Sequence, residues 1–201
     1  MTKKANTLLA TNEDTVGPYY PIYFADEMYE DISRIHHGVS VKPEGQAIEL
    51  TGRLIDHDGN LANGVVMEFW QANAKGVYRT PATVDDPHLD PWFDGFGRVR
   101  TADGHYRFRT IMPGAAPGRA PNITITLFSD GISRIVTQVF FEGEAGHQSD
   151  PLLVSLPAPE RDKLIARKTT TTTGARGSRV YQFDIVMAGK NETPFFDDFE
   201  S

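Results

Sequence analysis

Six short stretches rich in β-branched and aromatic residues recur along this chain, each set off from the next by turn-forming residues. They are AIELTGRLID (47–56), GVVMEFWQA (64–72), HYRFRTI (105–111), NITITLF (122–128), RIVTQVFFEG (134–143) and VYQFDIVMAG (180–189). Asp58-Gly59-Asn60, Ala102-Asp103-Gly104 and Asp130-Gly131 supply the turns, because Asp, Asn and Gly tolerate the positive φ that tight connections need. Nothing resembling alternating helix–strand units lies between the runs. Short strands at such spacing predict an all-β fold, an antiparallel β-sandwich or barrel.

The remaining segments decorate that core. Residues 1–46 show no sustained period and are expected to form a long N-terminal arm that wraps its own domain or crosses to a neighbour, with 47–201 as the β-sandwich domain. Within the arm, FADEMYEDISRI (24–35) has the composition of a short helix. PAPERDKLIARK (157–168), with prolines at its start and basic residues at its end, predicts one short helix. The threonine run 169–173 after it reads as a polar loop or exposed hairpin. The tail TPFFDDFES, with three phenylalanines, is expected to be pinned to a surface.

Bulk composition narrows the function. A net charge of −7 without clustered Lys and Arg argues against nucleic acid as a partner. No apolar run approaches the ~20 residues of a membrane span, and the start MTKKANTLLATNEDT lacks the apolar core of a signal peptide. A cytoplasmic location is expected. The absence of cysteine excludes disulfides, thiolate metal sites and cysteine nucleophiles.

Chemistry-bearing residues are sparse. His36 and His37 are adjacent, so an extended chain points them to opposite faces. His57 sits in a turn, His105 opens a strand, and His88 with Asp90 has a spacing open to a metal but lies among loop-forming Asp-Pro pairs. Glu68, between large apolar residues, must either face water or be paired inside. No GxSxG elbow, GxGxxG or P-loop is present. The loop MPGAAPGRAPN (112–122), which enters a strand as catalytic loops commonly do, offers alanines and an asparagine where histidine, tyrosine or carboxylate would be sought.

Taken together, TVGPYY (15–20), LTGRLIDHDGN (50–60), EFWQANAKGVYR (68–79), FGRVRTADGHYRFRTIMPG (96–114), TQVFFEG (137–143) and VYQFDIVMAGKNETPFFDDF (180–199) resemble the intradiol ring-cleaving dioxygenases over nearly the whole chain. The resemblance is strongest to the two-chain branch that cleaves 3,4-dihydroxybenzoate with O2. It implies a β-sandwich with arms, and a hetero-oligomer in which a homologous β-type chain holds Fe(III) through two tyrosines and two histidines. Carried over position by position, those ligands fall on Asp85, Ala116, Asn122 and Thr124 here. Arg119 stands where the active chain has an arginine beside the substrate. The resemblance therefore implies an α-type chain with a vestigial pocket, no metal of its own, and a role in completing the partner's site. Thr15, Gly17, Pro18 and Tyr19 would shape the partner's substrate entrance. Arg134 would substitute for a substrate-binding arginine that the family places near Ser129-Asp130-Gly131. Two other readings stand beside this one: a transthyretin-like binding or structural module without chemistry, and a homomeric metalloenzyme using His88 and Asp90.

Overall fold

A computed structural model describes residues 30–33, 42–129, 133–174 and 177–196. Nine strands are present: β1 (Ala47–Ile55), β2 (Val66–Gln71), β3 (Phe96–Arg100), β4 (His105–Ile111), β5 (Asn122–Ser129), β6 (Ser133–Phe141), β7 (Ile165–Thr173), β8 (Arg179–Gln182) and β9 (Ile185–Val186). Two five-residue helices, α1 (Pro151–Ser155) and α2 (Ala158–Asp162), lie between β6 and β7.

The strands follow the path β3-β2-β5-β6-β7-β8-β1-β4, with β9 against β1. The path doubles back at β6–β7, so that β3-β2-β5-β6 forms one layer and β7-β8-β1-β4 the other. Side chains of both layers meet in a single core that includes Met67, Phe69, Ile123 and Ile125 from the first and Ile48, Leu50, Phe108 and Tyr181 from the second. The rings of Phe69 and Phe108 stack across it with centroids 4.1 Å apart. The expected all-β sandwich is the fold.

Its details refine the expectation. Most pairings are antiparallel, but β1–β8, β1–β9 and β6–β7 are parallel. The turn at Asp58-Gly59-Asn60 forms, with Gly59 at φ 84°, yet β1 pairs with β4 while β2 pairs with β3 and β5. The turn closes only a short reversal, with Ile55 bridged to Leu61, before the chain crosses between the layers. Asp103 (φ 51°) and Gly104 (φ 70°) make a two-residue reversal in which Ala102 and His105 exchange both backbone hydrogen bonds.

The helix expected over 157–168 contracts to α2, because Ile165–Lys168 opens β7, and the threonines after it continue that strand. Ile165 and Ala166 pair with Phe140 and Phe141, a tertiary pairing that overrides the local helical signal. Of the helix expected over 24–35, residues 30–33 are described and are not helical; Asp31 forms a parallel bridge to Arg109 on the edge of β4. The rest lies outside the described residues. The aromatic tail is pinned as far as it is described: Phe195 packs on the main core, Phe196 on a second cluster with Phe140, Leu153 and Leu164, and the Phe196 amide donates to the Val136 carbonyl.

Candidate functional site

Of the residues at the expected site, Asn122 and Thr124 lie on the outer face of the β3-β2-β5-β6 layer. Alternation along β5 buries Ile123, Ile125 and Leu127 in the core and turns Asn122, Thr124 and Thr126 to the other side. Register sets Thr124 between Trp70 of β2 and Gln138 of β6, and Asn122 opposite Phe140. The loop PGAAPGR is held above this face by close backbone contact. A Cβ on Gly114 would lie 2.4 Å from the Ala74 carbonyl oxygen, and one on Gly76 2.1 Å from that of Ala115. Only glycine fits at either place. The loop ends in a turn in which the Arg119 amide donates to the Ala116 carbonyl, 2.9 Å.

Arg119 is brought together with groups that sequence reasoning missed. Its Nε donates to Asp150 Oδ2 at 2.9 Å and its other guanidinium nitrogen to Gln138 Oε1 at 2.6 Å. Asp150 is buried and also accepts from the amides of Ala120, Leu152 and Leu153, the last two capping α1. The guanidinium is thus neutralised from within and ties loop, strand and helix together. Tyr78 stacks on Trp70 beside this group, ring centroids 6.0 Å apart. Burial raises its phenol pKa above the ordinary value, with Asp150 adding to the effect and Arg119 opposing it. Asp150 carried a readable signal, an Asp directly before Pro151 as a helix cap and first turn. Gln138, neutral and mid-strand, carried none.

The donor set at the four family positions does not fit a ferric ion. Ala116 has no donor atom. The Asn122 amide group donates to the Ala120 carbonyl at 2.7 Å, the Thr124 hydroxyl lies 3.4 Å from Gln138 Nε2, and Asp85 is exposed on the 80–94 loop. Of these four positions only Asp85 carries an anionic oxygen and none carries an imidazole, the ligands that suit iron. Among the described residues no group of three His, Asp or Glu side chains could hold a metal.

His88 and Asp90 do not form a metal pair either. His88 is exposed, while the buried Asp90 uses its two oxygens to accept from the amides of Trp92 and Glu44, each 2.8 Å. Glu68 resolves as half-buried and paired with Arg98 at 2.6 Å. His57 and His105 are exposed in turns or at a strand start. Arg134 is exposed on β6 opposite Phe128. Thr15, Gly17, Pro18 and Tyr19, with His36, His37, Asp130 and Gly131, lie outside the described residues.

Residues 16–124 match the family model described as Dioxygenase. The chain belongs to this dioxygenase family. It is 39% identical over 191 residues to the protocatechuate 3,4-dioxygenase beta chain of Burkholderia cepacia, covering 88% of this chain and 80% of that one. It is 36% identical over 202 residues to the alpha chain from the same organism, covering 95% and 98%, and 33% identical over 201 residues to the alpha chain of Pseudomonas putida, covering 93% and 96%. Among solved structures, the dioxygenase domain of a carbohydrate-binding fusion protein from Streptomyces sp. SirexAA-E superposes with TM-score 0.57 at 25% identity, over 80% of this chain and 99% of that one. An intradiol ring-cleavage dioxygenase from Tetranychus urticae gives TM-score 0.60 at 20% identity, over 88% and 95%, a likeness of fold. Identity alone does not separate alpha from beta relatives of this dioxygenase-family chain.

Proposed function

We propose that this chain is the non-metal alpha subunit of a protocatechuate 3,4-dioxygenase. It pairs with a homologous beta chain that holds the ferric ion, and the complex cleaves 3,4-dihydroxybenzoate with O2 between the two hydroxylated carbons, giving 3-carboxy-cis,cis-muconate. One observation carries the reading: none of Asp85, Ala116, Asn122 and Thr124 supplies the phenolate or imidazole that the resemblance calls for there, and Arg119 is committed to Asp150 and Gln138. A fold retained without its own catalytic groups is explained if it serves a site in another chain. The match over 98% of an alpha chain also weighs against a transthyretin-like module without chemistry.

In this reading residues 1–46 form an arm at the heteromeric interface, where Thr15, Gly17, Pro18 and Tyr19 narrow the partner's substrate entrance. The ferric ion of the partner supplies the chelation that activates the catechol ring. This chain supplies shape and water exclusion, and Arg134 supplies a positive charge for the substrate carboxylate. In this reading the complex is cytoplasmic; among the described residues no helix is long and apolar enough to cross a membrane. The test is deletion of residues 1–29 in the co-expressed complex. A rise in KM with iron per beta chain unchanged is expected; unchanged kinetics would remove the arm from the site.

A further inference from the structure

The edge of β4 carries a one-residue gap. Arg109 turns its amide and carbonyl away from β1 and bonds the Glu30 carbonyl (2.8 Å) and the Ile32 amide (2.9 Å). Four residues earlier, His105 exchanges both backbone bonds with Ala102. Hydrogen-bonded and non-bonded pairs alternate along an antiparallel ladder, so Arg107 between them also faces outward. No described backbone group meets it there. A groove of about 470 Å³ opens at this gap.

Its lining is cationic in a chain whose net charge is −7. Arg53, Arg100, His105 and Arg107 line it, against the carboxylates of Glu30 and Asp184. Arg53 and Asp184 neutralise each other, two guanidinium nitrogens donating to Asp184 Oδ2 at 2.6 and 3.1 Å and the Arg53 amide to Oδ1 at 2.9 Å. Arg107 reaches Glu49 only at 3.4 Å, and that carboxylate is shared with Arg109 at 3.0 Å. Arg100 forms no ion pair with a described residue. Two guanidinium groups and an outward backbone amide therefore open on one groove, the donor set that carboxylates and phosphates recruit, while the His105 ring is held by the Asp103 carbonyl at 2.8 Å.

We propose that this groove binds a small multivalent oxyanion, an organic polycarboxylate or phosphate, bridging Arg100 and Arg107 and accepting from the Arg107 amide. The site is formed by this chain's own strands and is independent of the functional reading above.

Calorimetric titration of the co-expressed complex with citrate, with inorganic phosphate and with acetate as a monovalent control tests it. Citrate or phosphate is expected to bind more tightly than acetate, and Arg107→Gln and Arg100→Gln to weaken that binding about tenfold each, the worth of a charge-assisted contact. The tighter of the two multivalent anions identifies the source. Binding at the partner's site is common to wild type and variants, so affinities for both anions left unchanged by both substitutions would overturn the proposal.

Discussion

Arg119 Nε lies 2.9 Å from Asp150 Oδ2, and that carboxylate is fully enclosed. Arg119 is a strut between the PGAAPGR loop and the cap of α1. Without Asp150 the partly exposed Arg119, at 28%, keeps only Gln138 as a partner, and the enclosed site loses its anion. Asp150→Ala also removes the helix cap and the acceptor for the Ala120 amide. Chemical denaturation is expected to show a loss of about 3–4 kcal/mol. A loss under about 1 kcal/mol would mean that the contact is incidental.

The buried Tyr106 hydroxyl donates to the Phe183 carbonyl between β4 and the segment after β8. Burial raises its pKa well above the ordinary value, and Asp184 adds to the shift. A group raised in the folded state contributes stability that is complete below its unfolded pKa and lost as pH rises from there toward the folded value. Stability should fall with a slope of up to ~1.4 kcal/mol per pH unit for this one proton above about pH 10. Tyr106→Phe should flatten that alkaline slope, leaving the smaller contributions of Tyr78 and Tyr181. At neutral pH the same substitution should cost about 1–3 kcal/mol, because the Phe183 carbonyl loses its partner. Denaturation curves at pH 8, 10 and 11 read both effects.

Gly52 sits where β1 meets β8, and a Cβ there would lie 1.9 Å from the Phe183 carbonyl oxygen. The obstacle is backbone on a parallel pairing, so it cannot turn aside. Gly52→Ala is expected to lower stability by about 3 kcal/mol. A neutral result in thermal unfolding would contradict the tight approach of the two strands.

Under the proposed function Arg134 meets the substrate carboxylate. Arg134→Ala in the co-expressed complex should raise KM for 3,4-dihydroxybenzoate roughly tenfold, the value of one charged contact, while leaving turnover of catechol itself unchanged. Equal effects on both substrates would assign Arg134 a structural role.

Five of the six strand-like runs appear in the sequence as single strands, because β-branched residues at alternating positions report burial directly. VYQFDIVMAG divides instead into β8 and β9, which pair with β1 at successive positions. What stayed hidden depends on distant partners. β3 contains Gly97 between polar and aromatic residues and gains its strand character from pairing with β2. β7 begins in a segment with helical composition and is decided by Phe140 and Phe141. The lack of phenol and imidazole at Ala116, Asn122 and Thr124 was legible, since it is a matter of residue identity. The fate of Arg119 was not, since Asp150 lies 31 residues away and reaches it only after β6 has folded back.

The central claim is tested most directly by iron per chain, together with the visible tyrosinate-to-iron band, for this protein expressed alone and co-expressed with its beta partner. Iron and colour confined to the complex, at one ion per pair, are what an alpha chain without donors at Ala116, Asn122 and Thr124 requires. Stoichiometric iron in the lone chain would contradict the account.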